Sequence, residues 1–356
     1  MKFTFKRYIP FLPLLVFLGQ CLRLGGISVR KLPLFALYVL RFILCEPLRL
    51  LEVLLFERRI QNHVLNEDPI FILGHWRSGT SHLQQVMSED PKNVSLNLYE
   101  MLSPDHFLCT ESWLLPFFNG WIKRFGIRYA FQRRALDLNL CGELDTALCS
   151  LGSTQGYTWG HLFPKKYRAW MNARLFQNTS ARNLSDYDYL IRKLSYKSGN
   201  KRVVVKSPGD SARISSLLTM YPNAKFVSIS RSSYATYGST CYLWSAIQKE
   251  NSLQKLSDEE ISSHVIWTFP KLMEAYERLK SEIPHENLCE INFEDFHTHP
   301  DETMRTVYEH LSIGPYPSAV FKPFFDKNKT HRPESYTDDQ QLTQKLKNAW
   351  GVYFKD

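Results

Sequence analysis

Paired cysteines are what this 356-residue chain lacks first. Its seven (Cys21, Cys45, Cys109, Cys141, Cys149, Cys241 and Cys289) are odd in number and scattered, with no C-x-x-C among them. Such a pattern supplies neither a disulfide framework nor a zinc ribbon, and it points to a cytoplasmic setting or a membrane facing a reducing compartment. A dense Lys/Arg tract and an aromatic-basic repeat are missing too. The excess of 44 Lys+Arg over 35 Asp+Glu, a formal +9, is therefore not the signature of a nucleic-acid binder. It fits a basic solvated surface, or a site for a polyanion such as a nucleotide. There are no internal repeats and no low-complexity tracts. Also absent is the uninterrupted apolar run of about 20 residues that a membrane span needs. Tyr8 to Leu22 is free of charge but broken by Pro10, Pro13 and Gln20, and no A-x-A-like cleavage site follows it. Leu32 to Phe56 is apolar but carries Arg41, Glu46, Arg49 and Glu52. Those charges are costly at a bilayer centre, so the pattern predicts an amphipathic helix pair that lies on a membrane or caps the core. Contact with a membrane surface through residues 1–60 is compatible with this arm. Four N-x-[ST] tripeptides, at Asn93, Asn178, Asn183 and Asn328, decide nothing without a secretory context.

What is present begins after Glu67-Asp68-Pro69, which separates the arm (residues 1–66) from the remainder (67–356). Phe71-Ile72-Leu73-Gly74-His75-Trp76-Arg77-Ser78-Gly79-Thr80-Ser81-His82-Leu83 reads as a strand, a tight hydroxyl-rich turn and a helix start, with Leu83, Val86 and Met87 at helical spacing. A helix N-terminus gathers unpaired N–H groups and the positive end of the dipole, so this is an anion site in the making. Gly74 and Gly79 have the spacing of G-x-x-x-x-G-K-[ST], but Thr80 stands where the lysine belongs and the cation sits inside the loop as Arg77.

Farther on, Arg202-Val203-Val204-Val205-Lys206 and Lys225-Phe226-Val227-Ser228-Ile229 read as strands joined through a helix bearing Ile214, Leu217 and Leu218. Strand, helix and strand at this spacing form a βαβ unit with parallel pairing. Leu288 to Phe293 is a weaker strand, and Thr303 to Leu311 and Gln341 to Phe354 are predicted helices. Residues 91–200, rich in aromatics and turns, suit a helical substrate-facing lid. An ATP- or GTP-using enzyme wants an aspartate at the end of the buried strand to hold Mg²⁺. Lys206 occupies that position, so phosphate is neutralised by side chains. Arg231 falls at the carboxyl end of the next strand, where α/β sheets bind ligands, and Ser239 lies eight residues on. Two anion sites without a metal describe a nucleotide phosphorylated at both ends.

Taken together these stretches resemble the sulfotransferases that use 3′-phosphoadenosine-5′-phosphosulfate. Gly74 to Thr80 is similar to that family's 5′-phosphosulfate loop, in the arginine form of its bacterial-type and tyrosylprotein branches. Lys206-Ser207-Pro208, Tyr221 to Phe226, Arg231 and Ser239 resemble its 3′-phosphate motif, and Asn292-Phe293-Glu294-Asp295-Phe296 through Leu311 resembles its late segment. The resemblance implies a three-layer, P-loop-like α/β fold, with a short, mostly parallel sheet flanked by helices. It implies that Arg77 and the loop Ser78, Gly79, Thr80 and Ser81 hold the 5′-phosphate and sulfonate. Lys206 would reach the bridging oxygen or the sulfonate, and Arg231 and Ser239 the 3′-phosphate. For the base that takes the acceptor's proton it offers Glu100 first, then Glu143, then His106, and it implies no metal.

Two other readings stand beside this one, a P-loop kinase or NTPase and a non-catalytic nucleotide-binding scaffold. The acceptor is open among small molecule, lipid, glycan and protein. The aromatics Phe107, Trp113, Phe117, Phe118, Trp121, Trp159 and Trp170 are expected in the core, or else along an apolar acceptor tunnel. His75 and Trp76 are expected to pack or to line the donor site. His297-Thr298-His299 lacks a third metal ligand, and Lys329 and His331 are weak candidates for donor contacts.

Overall fold

The computed structural model describes residues 5–128, 135–177, 184–328 and 339–355. Lys329 and His331, and the sequon asparagines Asn178 and Asn183, lie outside them. Five strands form one sheet: β1 (Ile70–Leu73), β2 (Asn93–Val94), β3 (Arg202–Lys206), β4 (Lys225–Ser230) and β5 (Leu288–Asn292). Their order is β2-β3-β1-β4-β5 and every pairing is parallel. The short β2, which the sequence pattern did not show, extends the sheet beside β3.

Sixteen α-helices surround the sheet among the described residues. An arm of α1 (Leu12–Arg23) and α2 (Leu32–Gln61) comes first, and α3 (Thr80–Glu89) leaves the loop after β1. Between β2 and β3 lie α4 (Leu98–Leu102), α5 (Phe107–Phe125), α6 (Leu144–Ser150), α7 (Trp159–Leu162), α8 (Tyr167–Met171) and α9 (Ser185–Lys197). Then come α10 (Ile214–Met220), α11 (Ser233–Glu250), α12 (Asp258–Leu279), α13 (Phe293–Thr298), α14 (Pro300–Leu311), α15 (Ser318–Asn328) and α16 (Gln340–Trp350). The central strands are apolar without alternation because both faces are covered. Phe71, Leu73, Val203, Val205 and Phe226 pack with α9 and α10 on one side. Ile70, Ile72, Val204, Val227 and Ile229 pack with α3 and α14 on the other. This is the expected three-layer α/β arrangement.

In the arm, the acids and Arg49 of α2 face the protein, not the solvent: Glu46, Arg49, Glu52 and Glu57 are all buried. Arg49 pairs with Glu46 at 2.7 Å, Lys193 of α9 pairs with Glu52, and Arg7 bridges Glu57 at 3.5 Å and Asp186 at 2.7 Å. Buried charges survive only when paired and hydrogen-bonded, and here Lys193–Glu52 and Arg7–Asp186 rivet the arm to the body. The outer face of α2 is left to Leu37, Leu40, Ile43, Leu44, Leu51, Leu54 and Leu55, all exposed.

The aromatic expectation divides. Phe107 and Trp170 are core, and Trp159 is fully buried. Trp113, Phe117, Phe118 and Trp121 are exposed, which corrects their assignment to core or tunnel. The reason is helical phase: Phe107, Thr110 and Ile122 take the inner face of α5 and turn these four rings outward.

Candidate active site

The loop after β1 is held in a conformation that its residues were chosen for. Gly74 has φ 143° and Gly79 has φ 100°. A Cβ on Gly74 would stand 2.6 Å from the Ile229 carbonyl oxygen, and one on Gly79 would stand 2.4 Å from the Phe293 ring. Arg77 also has positive φ, 68°, a region costly for a residue with a side chain. The turn projects its guanidinium across to α11, where Nε donates to Ser239 Oγ at 2.7 Å. Arg231 donates to the Arg77 carbonyl at 3.1 Å and stacks on the Phe293 ring at 4.5 Å. The residues expected to hold the 5′- and 3′-phosphates therefore lie together, with Arg77, Arg231 and Ser239 in one hydrogen-bonded chain. Gly79 caps α3 and no side chain caps its first turn, so the leading amides stay available to an anion.

At the end of β3, Lys206 is buried and donates from Nζ to Glu143 Oε2 at 2.9 Å. Burial pushes the Glu143 carboxyl up, and Lys206 opposes that rise. Glu143 sits at the entrance of α6, and two residues on, Asp145 is fully buried. Asp145 accepts a bidentate pair from Arg213, at 2.7 and 2.8 Å, and a hydrogen bond from Ser207 Oγ. Arg213 also reaches Asp210 at 3.3 Å, and Tyr187 donates to Asp210. This network ties β3, α6 and the turn after β3 into one support beneath Lys206.

Both groups open on a cavity of about 920 Å³. One end is lined by Arg77, Gly79, Thr80, Ser81, Lys206, Arg231 and Ser239. The other is apolar, built from Met101, Leu102, Leu140, Trp159, Leu162 and Ile247 together with Phe17, Tyr38 and Phe42 of the arm. Among the described lining residues Glu143 is the single carboxylate, against Arg41, Arg77, Lys206 and Arg231. That balance suits a polyanion at one end and an apolar molecule at the other. Ser78 is buried behind the loop, where its hydroxyl donates to the His75 carbonyl at 2.8 Å. Trp76 lines the cavity and packs edge-on against Tyr157 and Trp244. His75 is buried beside Phe269, and desolvation pushes its imidazole down to about 4. His297 is exposed and stacks on Phe293 at the polar end, and no group of three metal-ligating side chains occurs among the described residues.

Two candidates for the base are not brought to this cavity. Glu100 is buried with both oxygens engaged: Oε2 accepts from the Asn97 backbone N–H and Oε1 from Lys197, each at 2.6 Å. It completes a capping box on α4, and α4 in turn supports the 140–143 segment through the Leu98 N–H to Leu140 carbonyl bond at 2.8 Å. His106 is buried next to Asp105 and hydrogen-bonds Thr110 at 2.9 Å; burial lowers its pKa. Sequence reasoning missed His161, which lines the cavity inside a nest of Trp76, Tyr167 and Trp244 rings, and whose pKa desolvation pushes down to about 3. It also missed the arm residues on the cavity wall and the role of Asp145 and Arg213. Only the Asn97-x-x-Glu100 spacing carried a readable local signal, that of a helix cap.

Residues 69–317 match the model of the sulfotransferase family, and the chain belongs to that family. Among its relatives is omega-hydroxy-beta-dihydromenaquinone-9 sulfotransferase Stf3, from Mycobacterium tuberculosis (strain CDC 1551 / Oshkosh) and from Mycobacterium bovis (strain ATCC BAA-935 / AF2122/97). Each is 28% identical over 310 residues, covering 86% of this chain and 78% of the relative. The fold is shared with the crystal structure of sulfotransferase STF1 from Mycobacterium tuberculosis H37Rv, at a TM-score of 0.71 and 15% identity over 98% of this chain and 93% of that one. Sulfotransferase STF9 from Mycobacterium avium matches at 0.67 and 18%, over 83% of this chain and 78% of that one.

Proposed function

We propose that this sulfotransferase moves a sulfonate from 3′-phosphoadenosine-5′-phosphosulfate to the hydroxyl of an apolar, lipid-like acceptor, with Glu143 as general base. The observation that carries this is the Lys206–Glu143 pair, 2.9 Å apart, at the junction of the polar and apolar ends of one cavity. Residues suited to the donor are those of the polar end. The first-turn amides of α3 with Thr80 and Ser81, and the guanidinium of Arg77, answer a 5′-phosphosulfate, and Arg231 and Ser239 answer a 3′-phosphate. The acceptor oxygen attacks sulfur in line as its proton passes to Glu143, and the bond from sulfur to the bridging oxygen breaks. Negative charge leaves the carboxylate and appears on the departing 3′,5′-bisphosphate, so the Lys206 ammonium is released from one and stabilises the other. A cation fixed where charge develops acts on the transition state more than on the ground state. Glu143 is favoured over Glu100 because it alone among the described carboxylates lines the cavity, and over His161 because an imidazole so hard to protonate is a poor proton acceptor.

A lipid-like acceptor is supported by the apolar wall and by the menaquinone-derived substrate in the name of the mycobacterial relative. No helix among the described residues is long and apolar enough to cross a membrane. A cytoplasmic or peripheral enzyme facing a reducing compartment fits that and the seven free thiols. The test is transfer of labelled sulfonate to a long-chain isoprenoid alcohol by native protein and by Glu143→Gln. Alongside it, 3′,5′-adenosine bisphosphate is titrated against ATP–Mg on native protein and Arg231→Ala. Tighter binding of the bisphosphate, weakened in the variant, is expected. Equal affinity for the two nucleotides, or no loss in the variant, overturns the donor assignment.

A further inference from the structure

We infer that α1, α2 and α5 form a docking face for an anionic lipid bilayer, beside the apolar end of the cavity. Helix α2 is inside out for a helix in water. Its acids and Arg49 point inward into ion pairs, and its exposed positions Leu37, Leu40, Ile43, Leu44, Leu51, Leu54 and Leu55 fall at three-, four- and seven-residue spacings along one stripe. Helices α1 and α5 pack against it and continue the pattern. Leu15, Leu18 and Leu22 of α1 are exposed, as are Trp113, Phe117, Phe118, Trp121 and Phe125 of α5. An apolar surface of this breadth on one side of a soluble protein marks an interaction site, and tryptophans suit the headgroup level of a bilayer.

Charge identifies the occupant. Every acid in residues 8–62 and 107–128 is turned away from this face. Glu46, Glu52 and Glu57 are buried, and Glu111 is held by Lys197 and by Asn97 Nδ2 at 2.8 Å. The exposed charges on the same segments are all positive: Arg23, Arg30, Arg58, Arg59, Lys123, Arg124 and Arg128. A second copy of this chain, meeting the face about a two-fold axis, would oppose those cations with themselves. An anionic membrane surface complements them. The charges along α2 forbid a span, so the helix lies in the interface plane. The face is continuous with the site, because Phe17, Tyr38 and Phe42 line the cavity from the inner side of the same two helices. This deepens the proposal of a lipid-like acceptor by naming where such an acceptor is met. Vesicle binding is read without turnover, so its loss and the loss of transfer are separate results.

The experiment is co-sedimentation of the full chain with phosphatidylcholine vesicles, with and without phosphatidylglycerol. Native protein is expected to partition at least tenfold more strongly to the anionic vesicles. Leu37→Glu/Leu44→Glu/Leu54→Glu and, separately, Trp113→Ser/Trp121→Ser should each lose at least tenfold with the thermal midpoint retained. Arg58→Gln/Arg59→Gln/Lys123→Gln/Arg124→Gln should erase the preference for phosphatidylglycerol. If the α2 variant unfolds, the α5 pair decides alone. Failure of native protein to bind anionic vesicles, native-like binding by the α5 pair, or conversion of a solution dimer to a monomer by that pair overturns the docking face.

Discussion

The polar end of the cavity is made of short consecutive stretches that each follow a strand: residues 74–81 after β1, Lys206 at the end of β3, and Arg231 to Ser239 after β4. The apolar end is made of single side chains from helices far apart in the chain, Phe17 and Phe42 from the arm, Met101 and Leu102 from α4, Trp159 from α7 and Ile247 from α11. Sheet topology sets the first, since three adjacent parallel strands deliver their carboxyl ends to one edge. Helix packing sets the second, and it can drift without disturbing the first. One scaffold of this kind keeps a fixed anion site while presenting a variable wall to the other reactant.

The sharpest way to break this division is at its seam. Glu143→Gln should lower kcat by about 10²–10⁴-fold while leaving bisphosphate affinity intact. Glu100→Gln, off the cavity, should leave kcat at the native value and lower the thermal midpoint through loss of a helix cap. A reversed outcome moves the base to Glu100. The pH profile sharpens the same point. Burial holds the Glu143 carboxyl above the usual glutamate range, so the proton-accepting form is lost on the acid side earlier than for an exposed glutamate. kcat/KM should fall as pH drops through that pKa, and the limb should vanish in Glu143→Gln.

Beneath the polar end, Asp145→Asn leaves Arg213 buried without its partner and should cost about 3–5 kcal/mol of stability, read by denaturant unfolding. At the proposed donor contacts, Arg231→Ala should weaken bisphosphate binding by about 10–100-fold, as expected for a lost charge-assisted hydrogen bond, with ATP–Mg binding unaffected. The smallest effect belongs to the apolar end. Phe42→Ala should raise the KM for an isoprenoid alcohol about tenfold, the worth of one buried ring, and leave donor affinity unchanged. If Phe42→Ala weakens the donor as much as the acceptor, the two ends are not separable.

The same contrast explains what the sequence disclosed. The loop, β1, β3, β4, β5 and the convergence of Arg231 and Ser239 on one end of the cavity were legible because each is encoded in a few neighbouring residues. β2 has only two residues and no apolar run of its own, so nothing local announced it. Glu100 is a lone acid in Leu98-Tyr99-Glu100-Met101 and Glu143 stands in Glu143-Leu144-Asp145, and local pattern cannot rank the two as bases. What distinguishes them is that one finds Asn97 and Lys197 and the other finds Lys206 and open space. The arm's apolar residues were visible, but not that its charges turn inward, because the partners Asp186 and Lys193 lie more than a hundred residues away.

Helix α2 carries Tyr38 and Phe42 on the wall of the cavity and Leu37, Leu40 and Leu44 on the outside of the molecule. An α-helix with its side chains is about 10–12 Å across. The partition between the reaction chamber and the exterior is therefore one helix thick on that side. With Glu52 of this helix paired to Lys193 of the body, and Arg7 tying Glu57 to Asp186, that partition cannot swing open as a door without stranding charges in an apolar setting. A long-chain molecule entering from that direction has to slip past the edge of the helix, and the distance it travels is short.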